Sequence, residues 1–258
     1  MYKKQFEIIV KAAKAAGEVV IKYYNDKYAV EIKEDDSPVT SADLASDKII
    51  QQILHKAYPH YPILSEETTD SESRLSSEYV FIVDPLDGTK EFIDRTGEFA
   101  INIALVVNGE VVVGVIYAPI RDELYYALKG EGAYLIKAGE KSKLQVSDKT
   151  TDLIALVSRN HLRQEEVDFL KANEAKIKQT AVIGASLKGC LIAQGEADIF
   201  YRYGPGTKEW DTAPQDLIVS EAGGLFLTPT GEKFTYNKKD VVNRSGYIIV
   251  NRKENIWL

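Results

Sequence analysis

The chain has 258 residues, 45% of them hydrophobic and 28% charged, with a formal net charge of −7. That length can bury a sizeable core, as one large domain or two closely packed halves, and the acidic balance argues against a nucleic-acid polymer and for a small ligand bound locally. The single cysteine, Cys190, excludes an internal disulfide, and no apolar run approaches the roughly 18 to 20 residues that cross a bilayer. The N-terminus mixes Lys with Glu and Ala where a signal peptide would be apolar, so the expected location is the cytoplasm, with peripheral membrane association left open. Cys190 lies among Leu187, Leu191 and Ile192 and reads as a buried structural thiol.

Residues 4–24 carry apolar side chains at Phe6, Ile9, Val10, Ala13, Gly17, Val20, Ile21 and Tyr24, the spacing of a one-sided helix. Ser37-Pro38 breaks the chain. A second helix is predicted over 41–58, with Ile50, Ile53, Leu54 and Ala57 inward and Pro59 beyond its end, followed by a strand over 61–64. Residues 67–78 turn polar and predict a mobile loop. Residues 80–83 read as a strand covered on both faces, with the chain turning at Pro85. Residues 99–107 and 110–118 form a hairpin about Asn108-Gly109, and strands follow over 124–128 and 133–136. The first half, 1–149, is therefore two helices on a largely antiparallel sheet.

From 150 to 258 the pattern becomes strand (153–157), helix (164–172), strand (177–183), helix (187–194), strand (198–201) and helix (211–222). Such alternation predicts an α/β layer with parallel strands, and the seam between the halves is the natural place for a cleft.

Chemistry concentrates in residues 79–89, YVFIVDPLDGT. Asp84 and Asp87 stand three apart at the mouth of a buried strand, where they can converge with the Leu86 carbonyl between them. Hard oxygen ligands of this kind suit Mg²⁺. Asp-Pro and Asp-Gly are equally common in plain surface turns. Three further segments end in acid: Leu64-Ser65-Glu66-Glu67, Glu209-Trp210-Asp211 and Thr40-Ser41-Ala42-Asp43. If these acids meet, their repulsion must raise some pKa values or demand cations. Spacing alone does not choose between Glu66 and Glu67; Asp211 also reads as a helix N-cap, and Asp43 as the close of a box begun by Thr40.

The strings SEE (65–67), DPLDGT (84–89) and WDTAP (210–214), in this order, resemble the inositol monophosphatase-like family of magnesium-dependent, lithium-sensitive phosphatases. SPVTSAD (37–43), DPLDGTKEF followed by RTGEFAINIAL, and SLKGC are most similar to its CysQ branch, the 3'(2'),5'-bisphosphate nucleotidases. The resemblance implies an α+β fold of layered αβαβα type. It implies two or three Mg²⁺ ions at Glu66, Asp84, the Leu86 carbonyl, Asp87 and Asp211, with Glu67 behind them, and inhibition by Li⁺. Asp43 and Thr89 would orient the attacking water, with Glu66 counted beside them in catalysis, and Gly88, Thr89 and Asp211 would meet the substrate. His161, Ser186, Lys188 and Arg202 fall where the branch contacts adenosine and the non-reacting phosphate.

The reaction implied is hydrolysis of adenosine 3',5'-bisphosphate to AMP and phosphate by direct attack of a metal-activated water, a step of sulfur metabolism, in a monomer or homodimer. No nucleophile elbow is present, and His55, His60 and His161 are remote in sequence from the acidic motifs, so no covalent intermediate is suggested. The segment 204–208, GPGTK, lacks Walker spacing and is expected to shape the approach to Trp210 and Asp211. One departure stands out: many relatives read Ser-Ser before Leu-Lys, and this chain has Ala185-Ser186. Two alternatives are an inositol or sugar monophosphatase of the same family and a non-catalytic metal or nucleotide sensor. Lys90-Glu91-Phe92 favours the nucleotidase over the inositol enzymes.

Overall fold

The computed structural model describes residues 1–26, 29–32 and 38–257, so the expected break at Ser37-Pro38 falls partly outside the described residues. The N-terminal apolar stripe winds into α1 (Lys3–Asn25). Its deepest line runs Ile9, Ala12, Ala13, Ala16, Gly17 and Val20, small residues that let the helix lie close to its neighbours. Strands β1 (Val30–Ile32) and β2 (Pro38–Thr40) make a short antiparallel pair, and α2 (Ser41–Ala57) starts at once behind Thr40. Ile50 and Leu54 are buried as expected, whereas Ala57, at the frayed last turn, is exposed.

Strand β3 (Ile63–Ser65) pairs in parallel with β4 (Tyr79–Asp87). Between them the polar segment is pinned rather than trailing: Arg74, 1% exposed, forks onto Asp70 and donates to Asn237 Oδ1 at 2.7 Å. The turn predicted at Pro85 is instead a strand that continues to Asp87 with an irregularity between Asp84 and Asp87. A bulge tolerates the missing N–H of proline and re-aims the flanking side chains. After α3 (Thr89–Ile93) come β5 (Ala100–Val107), β6 (Glu110–Ala118), β7 (Glu123–Leu128), β8 (Gly132–Lys137) and a fifth, unpredicted strand, β9 (Glu140–Lys143). Asn108 and Gly109 both take positive φ, +50° and +82°, in the β5–β6 turn. Sheet order is β3-β4-β5-β6-β7-β8-β9, antiparallel from β4 onward.

The remaining chain runs β10 (Leu153–Ser158), α4 (Gln164–Ala172), β11 (Ile177–Ile183), α5 (Leu187–Ala193), β12 (Ile199–Tyr203), α6 (Glu209–Glu221), β13 (Leu225–Leu227) and β14 (Gly246–Val250). The second sheet, β11-β10-β12-β14-β13, is mixed: its first three strands are parallel, but β14 is antiparallel to both β12 and β13. The expectation of parallel strands did not include β13 and β14, and of these only β14 runs against the rest.

Alternation along β4 creates the layers. Phe81 and Val83 join Ile9, Ala13 and Leu54 in a core under α1 and α2. Val80 and Ile82 point the other way, to Leu187, Trp210 and Leu217 of α5 and α6, which in turn cover Leu156, Phe200 and Ile249 of the second sheet. The outer face of that sheet packs Leu153, Ile199 and Ile248 against Phe169 and Leu170 of α4. The order is helix, sheet, helix, sheet, helix, the αβαβα arrangement. Contact between layers is close at Gly114 of β6, where a Cβ would stand 2.9 Å from the Pro214 carbonyl of α6. Among the described residues, no helix is long and apolar enough to cross a membrane.

Candidate active site

The C-terminal end of β4 lies at the meeting of the two sheets. Parallel pairing with β3 sets Ser65 opposite Val83, and the Glu66 N–H donates to the Val83 carbonyl at 3.2 Å, so Glu66 arrives beside Asp84. The bulge brings Asp84 and Asp87 round to Asp211 in the first turn of α6. One carboxylate oxygen from each of these three lies within 4.8 Å of the others. Asp84 is buried; Asp87 and Asp211 are half-buried. Burial first, then the charges of Glu66, Asp87 and Asp211, holds the Asp84 carboxyl well above its ordinary pKa. Asp211 is raised for the same reasons, burial first and Asp87 next. Gathered acids, with the Asp84 and Asp211 carboxyls held above their ordinary pKa, and oxygen-only donors fit a hard divalent cation, and these three, with Glu66 lining the same cavity, are the residues that could hold one.

Asp211 is not the cap of its helix. The cap is Lys208, whose N–H donates to Asp211 Oδ2 at 2.5 Å, and α6 begins two residues before Asp211. Asp43 does complete the predicted box: its Oδ2 accepts the Thr40 N–H at 2.8 Å and the Thr40 hydroxyl at 2.6 Å. Its other oxygen accepts Thr89 Oγ1 at 3.0 Å, and that hydroxyl also lies 3.3 Å from the Leu86 carbonyl. Burial lifts the Asp43 pKa against the opposing pull of these hydrogen bonds.

A cavity of about 550 Å³ opens beyond the acids. Of the expected site residues it is lined by Glu66, Asp84, Leu86, Asp87, Gly88, Thr89, His161, Ser186, Lys188, Arg202 and Asp211; Asp43 stands behind Thr89, and Glu67 is outside the lining. Lys188 is a buried ammonium rather than a surface charge: Nζ donates to the Ala185 carbonyl at 2.7 Å, and burial lowers its pKa. Arg202, also buried, pairs with Glu166 at 3.2 Å and donates to the His161 carbonyl. His161 reaches the surface at the mouth, yet the protein crowding its ring, followed by Lys90, Arg202 and Lys188, pushes its pKa down to about 4. Ala185 adopts a left-handed conformation, φ +53°, so the missing hydroxyl sits on a strained turn.

Several lining or supporting residues were not assigned to the site from the sequence. Arg163 lines the cavity and donates to the Pro205 carbonyl. Glu91, 5% exposed, accepts Asn160 Nδ2 at 3.1 Å and crowds Gly184. Asn102, fully buried, donates to Asp87 Oδ2 at 3.0 Å. Glu91 stood in the Lys90-Glu91-Phe92 triplet already noted, and Asn102 was marked as the polar interruption of an apolar strand; Arg163 carried no signal.

A model of the inositol monophosphatase family matches residues 1–255. A 3'(2'),5'-bisphosphate nucleotidase CysQ of Salmonella typhimurium is 38% identical over 244 residues, 93% of this chain and 97% of that one. The enzyme of the same name from Escherichia coli K12 is 36% identical over 242 residues, 93% and 96% of the two chains. Among solved structures, CysQ from Bacteroides thetaiotaomicron superposes with a TM-score of 0.86 at 34% identity, covering 98% of this chain and 99% of that one.

Proposed function

The chain belongs to the inositol monophosphatase family, and from that premise we propose that it is a Mg²⁺-dependent 3'(2'),5'-bisphosphate nucleotidase, converting adenosine 3',5'-bisphosphate to AMP and phosphate. One observation carries the substrate: a single cavity has an acid pole at Asp84, Asp87 and Asp211 and a cationic pole at Lys188 and Arg202. A bisphosphate offers one phosphoryl group to each. The volume, about 550 Å³, is in the range of small-ligand sites.

Glu66, Asp84, the Leu86 carbonyl, Asp87 and Asp211 would hold two or three Mg²⁺, with Glu67 as support behind them. Bound there, Mg²⁺ would polarise the phosphoryl group and offset charge on attacking and leaving oxygens. Thr89 Oγ1, already donating to Asp43 Oδ1, has a lone pair with which to accept a proton from the attacking water while its own passes to Asp43. The raised pKa of Asp43 makes it the better acceptor. Gly88 and the N-terminal turn of α6 would meet the phosphoryl oxygens, and Ser186, Lys188, Arg202 and neutral His161 would hold the nucleoside and the second phosphate. Phosphoryl transfer asks chiefly for such positioning and charge neutralisation.

A monomer or a homodimer is the state proposed. The cytoplasm is the compartment proposed, and inhibition by Li⁺ is expected at the same acids. The deciding experiment is a phosphate-release assay across nucleotide, inositol and sugar phosphates with and without Mg²⁺. Mg²⁺-dependent turnover highest on adenosine 3',5'-bisphosphate supports the reading; a clear preference for inositol 1-phosphate ends it.

A further inference from the structure

Asn102 is the polar residue in the apolar run of β5, and its side chain is 0% exposed. It reaches three segments of the cavity. Nδ2 donates to Asp87 Oδ2 at 3.0 Å and faces the Trp210 carbonyl at 3.5 Å; Oδ1 accepts Ser186 Oγ at 2.8 Å. The Ser186 N–H donates to that same Asp87 oxygen at 2.6 Å, which closes a ring through Asp87, Asn102 and Ser186. The Trp210 carbonyl is open to Asn102 because Pro214, four residues on in α6, has no N–H to give it. Trp210 precedes Asp211, so the amide touches the chain beside two of the three clustered acids and the residue that starts the Lys188 segment.

We propose that Asn102 is a positioning residue that orients Asp87 for its cation and ties that orientation to the start of α5, where the second phosphate is held. An sp² carboxylate oxygen has two lone pairs. The N–H groups of Asn102 and Ser186 occupy both on Oδ2, which leaves Oδ1 as the atom that coordinates. Aspartate carboxylates otherwise rotate freely between one- and two-oxygen binding; here the amide selects one. A merely structural Asn would need no acceptor on a clustered acid. The Ser186 hydroxyl proton is therefore committed to Asn102, its lone pairs remain for the substrate, and a shift at the substrate end of α5 is felt at the cation.

This rests on the acids being a cation site, and the test separates the two. Mn²⁺ binding is measured on the substrate-free full chain by calorimetry for wild type, N102A, S186A and the double variant, beside metal-free thermal unfolding and Mg²⁺-dependent turnover. N102A is expected to weaken Mn²⁺ by about 10-fold or more, the usual cost of removing a group that orients a metal ligand. S186A should weaken it less, and the double variant should match N102A alone, since both act through one ring. Mn²⁺ affinity equal to wild type in N102A overturns the proposal, and if N102A does not fold, unchanged affinity in S186A does so. Wild type that binds no Mn²⁺ overturns the cation reading and this inference with it.

Discussion

The two ends of the cavity are built on opposite electrostatic plans. At one end Asp84, Asp87 and Asp211 crowd within 4.8 Å, held by neutral donors such as the Ser186 N–H and Asn102 amide, and two of their pKa values are driven upward. At the other end each buried cation already has a fixed acceptor: Glu166 for Arg202, the Ala185 carbonyl for Lys188. The acid end can be relieved by bound protons or by a diffusible cation. The cationic end is stable when empty, so a phosphate there gains only the difference between its own contacts and the ones present beforehand. One end should govern rate, the other affinity.

Asp87→Asn attacks the first half of that contrast most directly: phosphate release should fall by about 10³-fold or more with circular dichroism unchanged, and near-normal turnover would break it. Glu166→Gln strips Arg202 of a buried partner and should cost about 3 kcal/mol in urea unfolding. A loss under about 0.5 kcal/mol would mean the cationic end is not self-neutralised. Lys188→Met should raise KM for the bisphosphate by about 10-fold with a smaller change in kcat, the worth of one charge-assisted hydrogen bond.

The contrast also has a pH signature. Because the folded pKa values of Asp84 and Asp211 lie above their ordinary 3.8, the native state holds protons that the unfolded chain releases. Metal-free stability must then decline as pH rises from 3.8 through those elevated values, and stabilisation by Mg²⁺ must grow over the same interval. Thermal shifts with Mg²⁺ should be larger at neutral than at acidic pH; the reverse order would refute the charge crowding. The smallest effect concerns His161, whose ring should titrate at about 4 by NMR, neutral throughout the working range. A midpoint near the ordinary 6.5 would refute first the crowding of the ring by protein and then the cationic field of Lys90, Arg202 and Lys188.

Legibility in the sequence followed the range of the interaction. Helix α2 announces itself through Thr40 and Asp43, three apart, and the β5–β6 turn through Asn108-Gly109, because both are local chemistry. The gathering of Asp84, Asp87 and Asp211 was expected from the family resemblance: Asp84 closes an apolar strand, but Asp211 follows Thr207-Lys208-Glu209-Trp210, where no apolar run marks it. Continuation of β4 through Pro85 was not, since only a paired neighbour strand decides whether proline sits at a bulge or a turn. Nor was the return of β14 between β12 and β13, where an apolar run such as 246–250 carries no mark of direction. Glu166 of α4 meeting Arg202 of β12, and Asn102 of β5 meeting Asp87 of β4 and Ser186 before α5, depend on pairing and packing of elements far apart in sequence, which no spacing rule contains.

Asp43 uses one carboxylate oxygen to start α2 and the other to hold Thr89. Loss of both oxygens, as in Asp43→Ala, would be felt at the helix start and at Thr89 together, so a lineage that stopped needing turnover would still be held by the helix to an acceptor at this position. Persistence of Asp43 in a silent descendant would thus say little about catalysis, whereas drift at Thr89 beside an intact Asp43 would be the earliest readable sign of abandoned chemistry.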